Sequence, residues 1–278
     1  MQISIHSENN HQYICNIPDQ DIELMPGIVW GNASTPFTPA YWRLACIVNG
    51  ATFETSRYHL GKSLKEEVIA CLLGGHGVTG ELGMAAFHHL KKHNISENPL
   101  SQSQIEELLS EPLQVGSRIC KYRFPRQKAK YIKRAISYLD TYSPPLDSGR
   151  SLRDWLISIP GIGLKTASWV ARNWLDAQDV AILDIHIHRA GVISGIFQPN
   201  DSVAKNYKNM EKAFIELTEA IGVPANVLDN QIWNEMRQAP NTVRRMLINK
   251  GVTTGDRCGL PPSNNRSPAR NYTLFAAV

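Results

Sequence analysis

Residues 151–189 read SLRDWLISIPGIGLKTASWVARNWLDAQDVAILDIHIHR. Apolar Leu152, Trp155, Leu156 and Ile159 recur at helical spacing. Ser151, with Asp154 three residues on, reads as the N-cap of that helix in a weak form of the capping box. Pro160-Gly161 ends it, and Gly163 follows. From Leu164 to Leu175 the helical period resumes, with Ala167, Val170, Ala171 and Trp174 on one side. The expectation is a helical hairpin at 151–175. Its glycines let the backbone turn tightly and come close to a ligand. Its second helix opens with free N–H groups and a positive dipole end, which suits an anion. Against a long phosphate polymer this is a grip on one backbone phosphate, without sequence information. On P-G-I-G alone, an ordinary turn between two helices fits as well.

Lys165 lies in the first turn of the second helix, where the dipole disfavours a cation and favours the neutral amine. A neutral lysine amine is a candidate nucleophile. Downstream, Val180-Ala181-Ile182-Leu183 leads into Asp184, so the carboxylate is expected to arrive by a buried approach. Asp184 also suits the N-cap of a helix starting at Ile185, and a cap alone would account for it. His186 and His188 point in different directions on a helix, so they read as one packed or capping imidazole and one surface imidazole, not as metal ligands. Arg189, one turn past Asp184, reads as a phosphate contact or a surface charge.

I-P-G-I-G-L-K-T-A followed by A-I-L-D-I-H-I resembles the helix-hairpin-helix superfamily of base-excision DNA glycosylases, to which endonuclease III and the 8-oxoguanine DNA glycosylases belong. K-T-A-S-W-V-A-R-N with V-A-I-L-D-I-H-I is most similar to the archaeal–bacterial branch of 8-oxoguanine glycosylase/lyases. The resemblance implies Lys165 as the catalytic amine and Asp184 as the catalytic carboxylate, with Gly161 and Gly163 binding a phosphate through their backbone. L-D-N-Q-I-W at 228–233 resembles the late helix of the same branch, which implies Asp229 and Trp233 at the base pocket; Trp233 also reads as core packing. The implied activity is removal of a damaged or modified base, 8-oxoguanine first, followed by β-elimination through a lysine Schiff base, with no cofactor and no metal. Two other readings stay open: a glycosylase that leaves an intact abasic site at another modified base, and a non-catalytic hairpin module that clamps DNA. The first usually lacks the lysine that is present here.

Residues 118–134, RICKYRFPRQKAKYIKR, hold eight Lys or Arg and no acid, with Tyr122, Phe124 and Tyr131 among them. In a chain of net charge +4 this reads as a DNA-backbone patch, with Arg126, Lys128 and Lys130 as contacts. The residues between Arg118 and Phe124 could also supply the side chain that fills the gap left by a flipped base. Pro125 suits the first turn of a helix running to about Tyr142. Gly74–Gly80 is glycine-rich, but it lacks the G-x-x-x-x-G-K-[ST] spacing of a nucleotide P-loop. Ser103 with Glu106 reads as a capping box opening a short helix, Gln104–Leu109.

The 278 residues, 42% hydrophobic and 19% charged, can bury a real core. The expected fold is mostly α: a two-lobed helical bundle with the helix-hairpin-helix motif and a few short N-terminal strands. Residues 1–37 are expected to form an N-terminal extension, in which Gln2–Ile5, Tyr13–Ile17 and Ile28–Trp30 alternate as strands do. Residues 38–250 would form the helical glycosylase body in two lobes, and 251–278, rich in Gly, Pro, Ser and Asn, an extended tail. No apolar run approaches the roughly 20 residues of a membrane span, and M-Q-I-S-I-H carries no secretory pattern. Cys15, Cys46, Cys71, Cys120 and Cys258 are spaced for neither a metal site nor a disulfide framework. The expectation is a reduced, cytoplasmic, nucleoid-associated bacterial or archaeal protein. Its partner would be double-stranded DNA carrying a damaged or modified base, not a membrane, and it would act as a monomer.

Overall fold

The structure, a computed structural model, describes residues 1–8, 11–49, 58–75, 77–98 and 100–262. It is mostly helical and divides into two compact units, Met1–Ser56 with Ala181–Val278, and Arg57–Val180. No helix among the described residues is long and apolar enough to cross a membrane.

The first unit opens with antiparallel strands β1 (Gln2–Glu8) and β2 (His11–Ile17), registered from Gln2 opposite Ile17 to Glu8 opposite His11. A second antiparallel pair, β3 (Glu23–Met25) and β4 (Ile28–Val29), follows. The expected strand stretches at 2–5 and 13–17 fall on β1 and β2, and that at 28–30 falls on β4 except for Trp30, which lies just beyond it. Helix α1 (Pro39–Asn49) buries Trp42, which stacks on Phe37 with centroids 5.3 Å apart.

The second unit holds α2 (Leu64–Leu73), α3 (Gly80–Lys92), α4 (Gln102–Ser110), the hairpin β5 (Leu113–Val115) with β6 (Arg118–Cys120), α5 (Pro125–Thr141), α6 (Gly149–Leu156) and α7 (Leu164–Leu175). Its core sets Ile69, Leu72 and Leu73 of α2 against Ala129 and Ile132 of α5 and Ala167, Val170 and Ala171 of α7. The fully buried Glu67 accepts from Leu60 N (2.7 Å), Gly61 N (3.0 Å) and Asn173 Nδ2 (2.6 Å), fastening α7 to α2.

Two expected caps are displaced. Helix α4 is opened by Ser101, whose side chain accepts from Gln104 N while Gln104 reaches back to Ser101 N, so the capping box is 101–104 and not 103–106. Helix α6 is capped by Ser148, not Ser151: Ser148 Oγ accepts from Ser151 N (3.1 Å). Asp179 Oδ2 takes Arg150 N (3.0 Å), so Gly149 and Arg150 join the helix with their turn already satisfied. Asp154 instead pairs with Arg153 (2.8 Å).

The chain then returns to the first unit through α8 (Ile185–Ser194), α9 (Val203–Ile221), α10 (Ala225–Gln238) and α11 (Pro240–Asn249). Residues 251–262 do not form the extended tail expected of them. Cys258 is fully buried, its N–H donates to Pro199 O (3.0 Å), and Arg244 Nη1 donates to Pro261 O (3.0 Å). The remaining tail, with Tyr272, Leu274 and Phe275, lies outside the described residues.

Candidate functional site

The turn between α6 and α7 is built from alternating anchors and openings. Ile159 and Ile162 are buried at 0% and 5% exposure and plug the turn into the core, with Ile162 N bonded to Ile159 O (3.0 Å). Pro160, Gly161 and Gly163 are left exposed. Gly161 has φ +103°, and a Cβ built on it would fall 2.3 Å from Cγ of the Tyr131 ring. Only glycine fits there, on conformational and steric grounds alike. Gly163 differs: among the described residues, nothing beyond its own stretch of chain lies within 4 Å of a Cβ placed on it. It is the N-cap of α7 and brings no side-chain cap. Among the described residues no side chain accepts from the first-turn N–H groups of α7, which leaves an anion-attracting helix end on an exposed turn. Lys165 sits half-buried in that first turn.

Lys128 is not the phosphate contact expected of it. Its half-buried ammonium donates to Leu72 O and to Gly74 O (2.9 Å), satisfying carbonyls at the C-terminal end of α2. Burial, and then repulsion from Lys165, hold the Lys128 amine below the usual lysine range. Arg126 and Lys130 are exposed on α5, as a backbone-contact role requires. Within the same basic stretch Tyr122 is buried, its hydroxyl donating to Leu73 O (2.6 Å). Ile119, on β6, is 74% exposed between Arg118 and Cys120.

In the other unit, Ala181, Ile182 and Leu183 are buried, and α9 bonds the backbone of Ala181 and Leu183. Glu211 Oε1 accepts from Ala181 N (3.1 Å), and the Tyr207 hydroxyl donates to Ala181 O (2.6 Å) and accepts from Leu183 N (3.4 Å). This clamp delivers Asp184 to the head of α8. Asp184 Oδ1 accepts from His186 N (2.7 Å) and Ile187 N (2.9 Å). Its other oxygen, Oδ2, has no hydrogen-bond partner among the described residues and remains available. The cap therefore occupies one carboxylate oxygen and leaves the other. Tyr207 and Glu211 escaped the sequence reading: their four-residue spacing marks one face of α9, but not what that face holds.

Arg189 has a structural role that the sequence did not show. Its Nε donates to Cys258 O and Gly259 O (3.1 Å each), so it ties residues 258–259 to α8. His188 is the packed imidazole, 3% exposed against Phe197, and burial holds its pKa below the usual imidazole range. His186 is half-buried. On α10, Asp229 is buried, and Trp233 is half-buried with the Arg237 guanidinium 4.4 Å from its ring centroid. Gly161, Gly163, Lys165, Arg126 and Lys130 thus belong to one unit, and Asp184, Asp229 and Trp233 to the other.

The family pattern described as 8-oxoguanine DNA glycosylase matches residues 51–223. Over 137 residues the chain is 34% identical to the 8-oxoguanine DNA glycosylase/AP lyase of Metallosphaera sedula, covering 46% of this chain and 63% of that relative. It is 32% identical over 118 residues to the protein of the same description from Thermoplasma acidophilum, covering 41% of this chain and 57% of the relative. The chain thus spans somewhat under two thirds of the curated relatives it matches. Among solved structures, the 8-oxoguanine DNA glycosylase of Methanocaldococcus jannaschii aligns with a TM-score of 0.53 at 22% identity, over 71% of this chain and 92% of that one. An endonuclease III trapped covalently on DNA aligns with a TM-score of 0.50 at 20% identity, over 70% of this chain and 84% of that one. Both show a shared fold.

Proposed function

The chain belongs to the 8-oxoguanine DNA glycosylase family, and from this premise we propose that it is a base-excision DNA glycosylase and β-lyase that removes 8-oxoguanine from double-stranded DNA, acting as a monomer. The observation that carries the reading is the division of labour at Asp184. One carboxylate oxygen caps α8 while the other stays available for a developing cation.

The chemistry follows from the groups present. The uncapped head of α7 and the exposed Gly163 seat a backbone phosphate, with Arg126 and Lys130 adding charge on the same strand. The target base leaves the stack, at a cost of a few kcal/mol. Ile119 is the wedge: an exposed β-branched side chain beside an arginine, suited to fill the vacated space. As the bond from the base nitrogen to C1′ breaks, its electron pair leaves with the base and positive charge builds on the sugar. The Asp184 carboxylate stabilises that charge. The lone pair of the Lys165 Nζ forms a bond to C1′, and the nitrogen loses a proton. Opening of the sugar ring then gives the protonated Schiff base. Loss of a C2′ proton forms the C2′–C3′ double bond and expels the 3′ phosphate, which nicks the strand. Water finally releases the lysine.

Single-turnover assays that separate base release from nicking test this. Asp184→Asn keeps the capping oxygen, since asparagine caps as well as aspartate. It should fold normally yet slow base release by about 10²-fold or more. Lys165→Gln should abolish nicking of an abasic duplex. Wild-type rates in both variants would rule the assignment out.

A further inference from the structure

Along the exposed side of α5, Arg126, Lys130 and Arg134 recur every fourth residue. Like charges at this spacing repel one another. Among the described residues no carboxylate pairs with any of the three. The first two, with Gln127 and Tyr131 of α5 and Gln102 from the first turn of α4, line a cleft of about 530 Å³. The lining surface is more apolar than polar, but the polar ends it carries, two cations, two amides and a phenol, are mainly hydrogen-bond donors, and no acid is among the described residues that line it. Its size lies in the range that accommodates a nucleotide-sized ligand, well beyond a lone ion. Tyr131 makes the cleft part of the hairpin: its ring lies against the Cα of Gly161, and its hydroxyl accepts from Gln127 Nε2 (3.2 Å). The wall of the cleft and the floor of the hairpin turn are one side chain.

We infer that this cleft is a second phosphodiester seat, holding the same DNA strand that the α6–α7 turn grips, with Tyr131 fixing the offset between the two seats. The inference rests on the glycosylase reading for the identity of the polymer. A mixed-acceptor ligand is disfavoured by the lining, and a single free phosphate would leave most of the cleft unfilled. The strand would donate nothing and accept throughout, as a phosphodiester does. Arg126 and Lys130 take the charge; Gln102 and the Tyr131 hydroxyl take the remaining oxygens.

The test is the salt dependence of binding by the full chain to a duplex carrying a tetrahydrofuran abasic analogue, read by fluorescence anisotropy between 50 and 200 mM salt. Each lost phosphate contact lowers the log–log slope by about 0.9. Arg126→Gln with Lys130→Gln should therefore flatten the slope by about 1.8, so that the affinity lost across that salt range shrinks by about tenfold. Lys205→Gln with Lys208→Gln, an exposed pair on α9, removes the same charge and should leave the slope as in the wild type. Tyr131→Phe keeps the ring against Gly161 and should weaken binding severalfold with the slope unchanged. An α5 double variant whose slope matches the α9 control would overturn the inference. Borohydride trapping on the same preparations reads the glycosylase assignment separately: a wild type that cannot be trapped sinks that assignment, and the slope comparison still decides the cleft.

Discussion

At the scale of single residues, Gly161 and Gly163 do different work although the sequence presents them as a pair. Gly161 is required by its backbone (φ +103°) and by the Tyr131 ring against it. Gly163 has an ordinary φ of −98° and open space around it. Gly161→Ala should destabilise the fold by at least about 1 kcal/mol in chemical denaturation, the scale of left-handed backbone strain in a non-glycine residue. Gly163→Ala should unfold like the wild type but bind DNA more weakly, because the new methyl stands where a phosphate must approach. Equal stability of the two variants would contradict this distinction. His188 sets a pH dependence. Its folded pKa lies below the ordinary 6.5, so the unfolded chain binds the extra proton first. The stability it contributes is complete above about 6.5 and is lost as pH falls from there through the folded value. Urea unfolding at pH 7.5 and 5.5 should show the wild type losing more stability than His188→Gln between the two.

At the scale of elements, the helix-hairpin-helix was legible because a helical period, a Pro-Gly stop and a second helical period leave few alternatives. Most helix bodies were legible for the same reason. The caps were not: Ser101 and Ser103, or Ser148 and Ser151, are all acceptable to a local rule. The choice fell to groups outside it, Gln104 for α4 and the distant Asp179 for α6. The carbonyl partners of Lys128 and Arg189 stayed hidden for a related reason. A cation in a basic run or after a helix cap carries no local mark of the carbonyls that will claim it. The β5–β6 hairpin was missed because its strands are only three residues long. It nonetheless selects Ile119 from the basic stretch. Ile119→Ala should slow base release from duplex by about tenfold, a little over 1 kcal/mol in the barrier to flipping. Nicking of a single-stranded abasic oligonucleotide should be unchanged. Equal losses on both substrates would argue against a wedge.

At the scale of the whole molecule, the chain runs out of its first unit at about residue 56 and re-enters it at Ala181, immediately before Asp184. Lys165 and Asp184 therefore stand in different units, although only nineteen residues separate them in sequence. The sequence showed the motif pair that names the family, but not the α9 clamp of Tyr207 and Glu211, the docking of 251–262 on α8, or the cleft of α4 and α5. Each of these joins segments far apart in the chain, and no local pattern encodes such a meeting. The proposed chemistry turns on a covalent intermediate at Lys165 Nζ. Borohydride reduction during reaction with an 8-oxoguanine duplex, followed by proteolysis and mass mapping of the adduct, decides it. One deoxyribose-derived adduct is expected, on the peptide containing Lys165 and absent from Lys165→Gln. An adduct mapped to another amine, or persisting undiminished in Lys165→Gln, would contradict it.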